Sequence, residues 1–237
     1  MSAVRLTRPL VVACAAALSL TLTGCGVAGT DFHPGVAAQV GDETVSSDHV
    51  DEVATHYCTA IQDQIRTGGD PLPMRFLKAG VAGQLALLSA VEQLAAEYDV
   101  EPGEQYRTEG TSIEDLTQDL DEEVADAYVE VNSINPYVVD VLRTIGDIEL
   151  EEAGQADASI DEQQVAGVEA LDEWIQREGI EMDPRYGLEF QDGQPVPVDT
   201  DVSFAAGDLA KGGLLPEPNA PYTAALPGEL TCGQPRG

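Results

Sequence analysis

Positive charge is what this sequence has least of. Eleven Lys and Arg side chains stand against 43 Asp and Glu, for a formal net charge of −32 at pH 7. A surface of that sign repels phosphate backbones and anionic headgroups, which excludes the electrostatic routes to nucleic acid and to a lipid surface. Cysteine is scarce too: there are four, none of them in a Cys-x-x-Cys pair, so that redox and zinc-binding spacing is missing. The apolar run from Leu10 to Leu22 falls short of the about 20 residues a membrane-spanning helix needs. Neither a glycine-rich phosphate loop nor a nucleophile elbow with its Ser-His-Asp partners occurs, which leaves nucleotide chemistry and triad hydrolysis without a sequence basis.

What the N-terminus does contain is an address. Arg5 and Arg8, the apolar run and then Leu22-Thr23-Gly24-Cys25 have the three-part layout of a secretory signal, and the small residues before the cysteine resemble the lipobox of bacterial lipoproteins. The resemblance implies cleavage after residue 24 and lipidation of Cys25. Two acyl chains, at about 0.8 kcal/mol for each buried methylene, anchor a protein where one does not. The reading is therefore a lipid-anchored protein on the extracytoplasmic face of a cell membrane, touching that membrane through its anchor only, with residues 25–35 as a tether. The acidity of the body suits a protein that stays soluble while displaying apolar surface. It is equally compatible with a general bias of its secretome.

Export bears on the remaining thiols. Cys14 leaves with the signal and Cys25 carries lipid, so Cys58 and Cys232 remain, and in an oxidising compartment two leftover thiols pair. Two separate buried thiols are the other reading.

Between these ends the periodicity is helical. Val50, Val53, Tyr57, Ile61 and Ile65 predict a first helix over about 48–66, ended by Thr67-Gly68-Gly69-Asp70-Pro71. Val81, Leu85, Leu88, Val91, Leu94 and Tyr98 predict a central helix over about 74–98, apolar on more than one face, in which Gly80 and Gly83 mark a close approach of another element. Residues 99–110 read as a linker. A third helix is expected from Ser112 to Val131, a break at Asn132 to Pro136, a fourth helix through Val138, Leu142 and Ile145, and a fifth from Ser159 to a Gly179 cap.

The stretch Val36 to Val53 organises this body: a short apolar strand, a turn at Gly41-Asp42, a second strand through Thr44-Val45, and a helix capped by Ser46 or Ser47. In that order it resembles the start of the SurA N-terminal domain, the peptide-binding module of extracytoplasmic chaperones related in fold to the substrate-binding part of trigger factor. Ile180 to Gly187, with its Pro184-Arg185-Tyr186-Gly187 end, is similar to the family's returning strand. The resemblance spans residues 36–187 and implies a mainly α fold of about five helices, with the N-terminal strand paired to a strand after the last helix. The expected organisation is a signal at 1–24, the tether at 25–35, a helical domain at 36–190 and an irregular Pro/Gly-rich tail at 191–237.

The function implied is ATP-independent holding of unfolded or exported polypeptides, without catalysis, cofactor or metal. No segment has the size and glycine pattern of the family's parvulin isomerase insert. The alternative is an adaptor lipoprotein that binds one dedicated envelope protein. His49 and His56 lie about 10.5 Å apart along the first helix and cannot share one ion. A Glu52–His56 contact is expected instead. The acidic residues from Asp119 to Asp126 read as a solvated helix face, and Trp174 as core.

Overall fold

The computed structural model describes residues 34–68, 71–198, 205–215 and 217–233. The signal, Cys25 and most of the tether lie outside the described residues, and so does the lipidation expected there.

The chain enters as a hairpin, β1 (Val36–Val40) and β2 (Glu43–Ser46), and runs straight into α1 (Ser47–Gly68). Gly41 makes the turn at φ 51°, where a Cβ would fall 2.8 Å from Gln93 Oε1. A two-residue strand β3 (Leu72–Pro73) leads into α2 (Met74–Tyr98), the central helix, and α3 (Glu104–Asp115), α4 (Glu122–Glu152) and α5 (Ile160–Glu178) follow. After the Gly179 cap, β4 (Ile180–Met182) returns antiparallel to β1, with Ala38 opposite Met182 and Val40 opposite Ile180. The three-stranded order is β2-β1-β4, and the fold is mainly α with this small sheet at one side.

Burial explains the arrangement. Ala37, Ala38 and Val40 of β1 are buried, as are Ala82, Ala86, Ala90 and Val91 of α2, which packs on β1; small side chains let strand and helix approach. By length and composition α2 could cross a membrane, yet 61% of its most apolar window is buried inside this domain, as a core helix requires. Gln93 Nε2 donates to the Val40 carbonyl at 2.9 Å, and the Ser89 hydroxyl donates to Glu43 at 3.0 Å, fixing hairpin against helix. Trp174 is core, 1% exposed, and its indole N–H donates to Glu97 at 2.9 Å. Beside it, at the C-terminal end of α2, the Tyr98 hydroxyl donates to Glu149 of α4.

That contact has a pH signature. The bond to Glu149, partial burial and the nearby Glu149, Glu152 and Glu173 charges push the Tyr98 hydroxyl up to about 12. An unfolded tyrosine ionises near pH 10, so the contribution of Tyr98 to stability is intact below about pH 10 and is lost as pH rises toward about 12. Tyr98→Phe will therefore be less stable than the parent at pH 8, and that difference will shrink between pH 10 and 12 when urea midpoints of the two proteins are compared. A constant difference across that range would show that the hydroxyl is not held by Glu149.

Four expectations are corrected. Residues 99–110 are not a linker: α3 begins inside them, because its N-terminus is clasped to α4. Asp140, 1% exposed, accepts from the Gly103 N–H and, at 2.7 Å, from Arg143 Nη2; Arg143 Nη1 reaches Gln105 at 2.8 Å, and the Tyr106 ring stands edge-on to Tyr137. The expected helix from Ser112 is interrupted where α3 ends, and Leu116 of its supposed stripe is 69% exposed. Pro136 does not break the chain either. It lies inside α4, where the lost hydrogen bond and ring clash, about 3 kcal/mol, are offset by buried Ile134, Val138, Val141, Leu142 and Ile145 on both sides, each worth about 1.5–3 kcal/mol. Lastly, the segment 191–237 is not merely irregular. The boundary at 190 cuts a hairpin of β5 (Leu188–Gln191) and β6 (Gln194–Pro197), turned on Asp192 and Gly193 at φ 50° and 67°. Two short helices, α6 (Asp208–Gly213) and α7 (Ala220–Ala225), follow, and β7 (Thr231–Cys232) pairs with β3.

Candidate functional site

A cleft of about 900 Å³ lies beside α2. Phe76, Gly80 and Val81 of α2 form its floor, Tyr57 of α1 and Val131 of α4 one side. The facing side is the turn Pro184 to Leu188 with Pro195, Pro197 and Val198 of the hairpin, and Gly213 to Leu215 close the rim. Such a volume, lined by apolar side chains interspersed with polar groups, is in the range of a ligand site.

Each wall has a local reason. The hairpin reaches α2 because Gly83 has no side chain: a Cβ there would stand 2.9 Å from Pro195 Cβ and 3.1 Å from Leu188 Cδ1. Gly80, one turn earlier, meets nothing within 4 Å and leaves the floor open. The two glycines were expected to mark an approach; one does, and the other makes room. Prolines at 195 and 197 on β6 remove backbone donors, so that edge cannot recruit a further strand at those positions. The turn Asp183–Gly187 is held by Asp183, a buried carboxylate that accepts from Arg185 N at 2.8 Å and Nε at 2.9 Å. Arg185 Nη2 also donates to Ser47 Oγ at 2.9 Å, joining the turn to the start of α1. Burial is the main reason the Tyr57 and Tyr186 hydroxyls are raised above the ordinary tyrosine value, so both remain neutral donors at physiological pH.

The segment that closes the rim is covalently tied. Cys58 of α1 and Cys232 of β7 are joined by a disulfide, with Cα atoms 5.6 Å apart and Cys232 fully buried. The bond fastens β7 beside β3, at the foot of α2.

Other sequence candidates resolve without chemistry. His49 Nε2 is 2.8 Å from Glu130 Oε1, and His56 Nε2 is 3.9 Å from Glu123 Oε2. Both histidines turn to α4, and this replaces the expected Glu52–His56 contact. No group of three or more His, Cys, Asp or Glu suited to a metal is found among the described residues.

Sequence reasoning missed the cleft itself. Asp192-Gly193 between Phe190 and Val196 was the available hairpin signal, and Arg75-Phe76, a cation beside an aromatic in a cation-poor chain, was the other. Comparison of the chain with family models, with curated proteins and with solved structures gave no match.

Proposed function

We propose that the domain holds extended, apolar segments of other polypeptides in the cleft beside α2, without ATP and without catalysis, as a SurA-like lipoprotein anchored through Cys25 on the extracytoplasmic face of its membrane. The observation that carries this reading is the cleft: about 900 Å³, floored by Phe76 and Val81 and walled by Tyr57, Tyr186, Leu188 and prolines. Burial of apolar surface there is non-directional and needs no particular client sequence. A strongly acidic exterior keeps such a surface from self-association.

Gly80 gives the means of testing it. A side chain at that position enters open space within the cleft and relieves the flexibility of a helical glycine. Gly80→Ala is expected to stabilise the protein by about 0.5–1 kcal/mol. Gly80→Phe will keep the fold and fill the floor. With the purified parent protein, light scattering from a denatured model protein diluted into buffer will fall as the molar ratio rises, and Gly80→Phe will lose most of that effect at an unchanged melting temperature. If the parent leaves scattering unaltered at several-fold excess, general holding is wrong, and the cleft belongs to one dedicated envelope protein.

A further inference from the structure

We infer that the segment held in the cleft carries a side-chain carboxylate next to its apolar residues, and that Arg75 is the residue that selects it; the inference rests on the polypeptide-holding function proposed above. Acid outnumbers base about fourfold in this chain, so an arginine ordinarily finds a carboxylate of its own. Of the eight Lys and Arg among the described residues, Arg66, Lys78, Arg143, Arg177, Arg185 and Lys211 do. Arg75 and Arg107 do not. Arg107, on α3, donates to the Pro102 carbonyl at 3.0 Å and does not line this cleft. Arg75 lines the cleft.

Its guanidinium is placed rather than loose. Nη2 donates to the Leu215 carbonyl at 3.0 Å, and the Cζ atom sits 3.9 Å from the centroid of the Phe76 ring and 5.7 Å from that of Tyr222. One carbonyl and two aromatic faces fix a planar fork of five N–H donors, and the carbonyl uses only one of them. A cation so held loses little freedom when an anion docks. The charges around it also favour an acidic guest: Lys78, one turn along α2, is paired with Asp51, and Arg185 across the cleft is paired with Asp183. Arg75 thus supplies the unmatched charge of the lining. The net charge of the rest of the molecule opposes an acidic ligand, but charges beyond about 8 Å are largely screened at physiological salt, whereas a carboxylate in direct contact with the exposed Arg75 guanidinium is screened only in part. A side-chain carboxylate is chosen over a chain terminus because extended segments of an unfolded chain are overwhelmingly internal.

The test uses dye-labelled peptides with one shared apolar core, amidated C-termini and flanks of Glu, Gln or Lys, titrated by fluorescence anisotropy with the full-length protein. The Glu peptide should bind about tenfold more tightly than the Gln peptide, with the margin narrowing as salt is raised. In Arg75→Gln the ratio of the two affinities should fall to about one, and Arg75→Lys should restore part of it. The salt dependence in the parent protein stands even if the Arg75 variants fold poorly. Equal affinities for the Glu and Gln peptides, a ratio that survives Arg75→Gln, or tightest binding by the Lys peptide would each overturn the inference while leaving polypeptide holding intact. A Gln peptide with a free C-terminal carboxylate that matches the Glu peptide would overturn it in favour of chain-end recognition. Failure of every peptide to bind would remove the holding function as well.

Discussion

Gly146→Ala is expected to destabilise the protein by about 3 kcal/mol or more, with Gly167→Ala doing the same. The two glycines form a reciprocal contact. A Cβ on Gly146 would lie 1.8 Å from the carbonyl oxygen of Gln163, and a Cβ on Gly167 would lie 1.8 Å from that of Leu142. In each case the obstacle is backbone, so no rotamer change relieves it. The helices α4 and α5 would have to separate by more than an ångström, which would disturb the core that Ile145 of α4 and Leu171 and Trp174 of α5 share. Urea unfolding followed by circular dichroism reads the loss directly. Gly80→Ala is the internal control, because the same chemical change made in open space moves the midpoint the other way. If Gly146→Ala unfolds at the parent's urea concentration, α4 and α5 do not cross in backbone contact.

Nothing in the spacing of Gly146 or Gly167 announces that crossing. A glycine in a helical pattern is only a weak helix former until the element opposite it is known. The parts of the fold legible in the sequence were those whose cause is local: Ser159 caps α5 in a box with Glu162, Gly179 ends it, Gly41 turns the first hairpin, and the apolar faces of α1 and α2 repeat at helical steps. The parts that were illegible depend on distant partners. Helix α3 exists because Asp140, 37 positions beyond Gly103, receives its first amide. Pro136 is tolerated because residues before and after it are buried against other helices. The same division applies to the cleft. Its floor lies on a helix read correctly, but its facing wall comes from the hairpin after residue 187, and apolar residues that line a groove have the same sequence appearance as those that fill a core. Cys58 and Cys232 were legible as a pair from their number and the export expected of the N-terminus, without any knowledge of what they hold.

What that bond holds supplies the second large effect. Removing it by Cys58→Ser together with Cys232→Ser is expected to lower stability by about 2–5 kcal/mol. The cysteines are 174 positions apart, and in the chain-entropy model a closed loop of that size places the ceiling at about 5 kcal/mol. Against a total of about 5–15 kcal/mol for a typical domain, that loss brings the protein close to unfolding. The actual loss depends on what else fastens the C-terminal segment. β7 contributes two residues opposite Leu72 and Pro73, Thr231 and Cys232 are buried, and α6 and α7 are largely exposed, with Leu209 of α6 at 51% and Leu214 just after it at 41%. So small an apolar contact cannot hold residues 205–233 in place alone. Without the bond the segment lets go before the helical body unfolds, the loss stays below the ceiling, and the rim formed by Gly213 to Leu215 opens along with the Leu215 carbonyl that positions Arg75. Two readouts separate these steps. Limited proteolysis will cut the double variant within residues 205–215 at protease concentrations that leave the parent whole, and its urea midpoint will be lower. Parent and double variant with equal midpoints and equal digestion patterns would show that β7 and the short helices hold the segment without the disulfide.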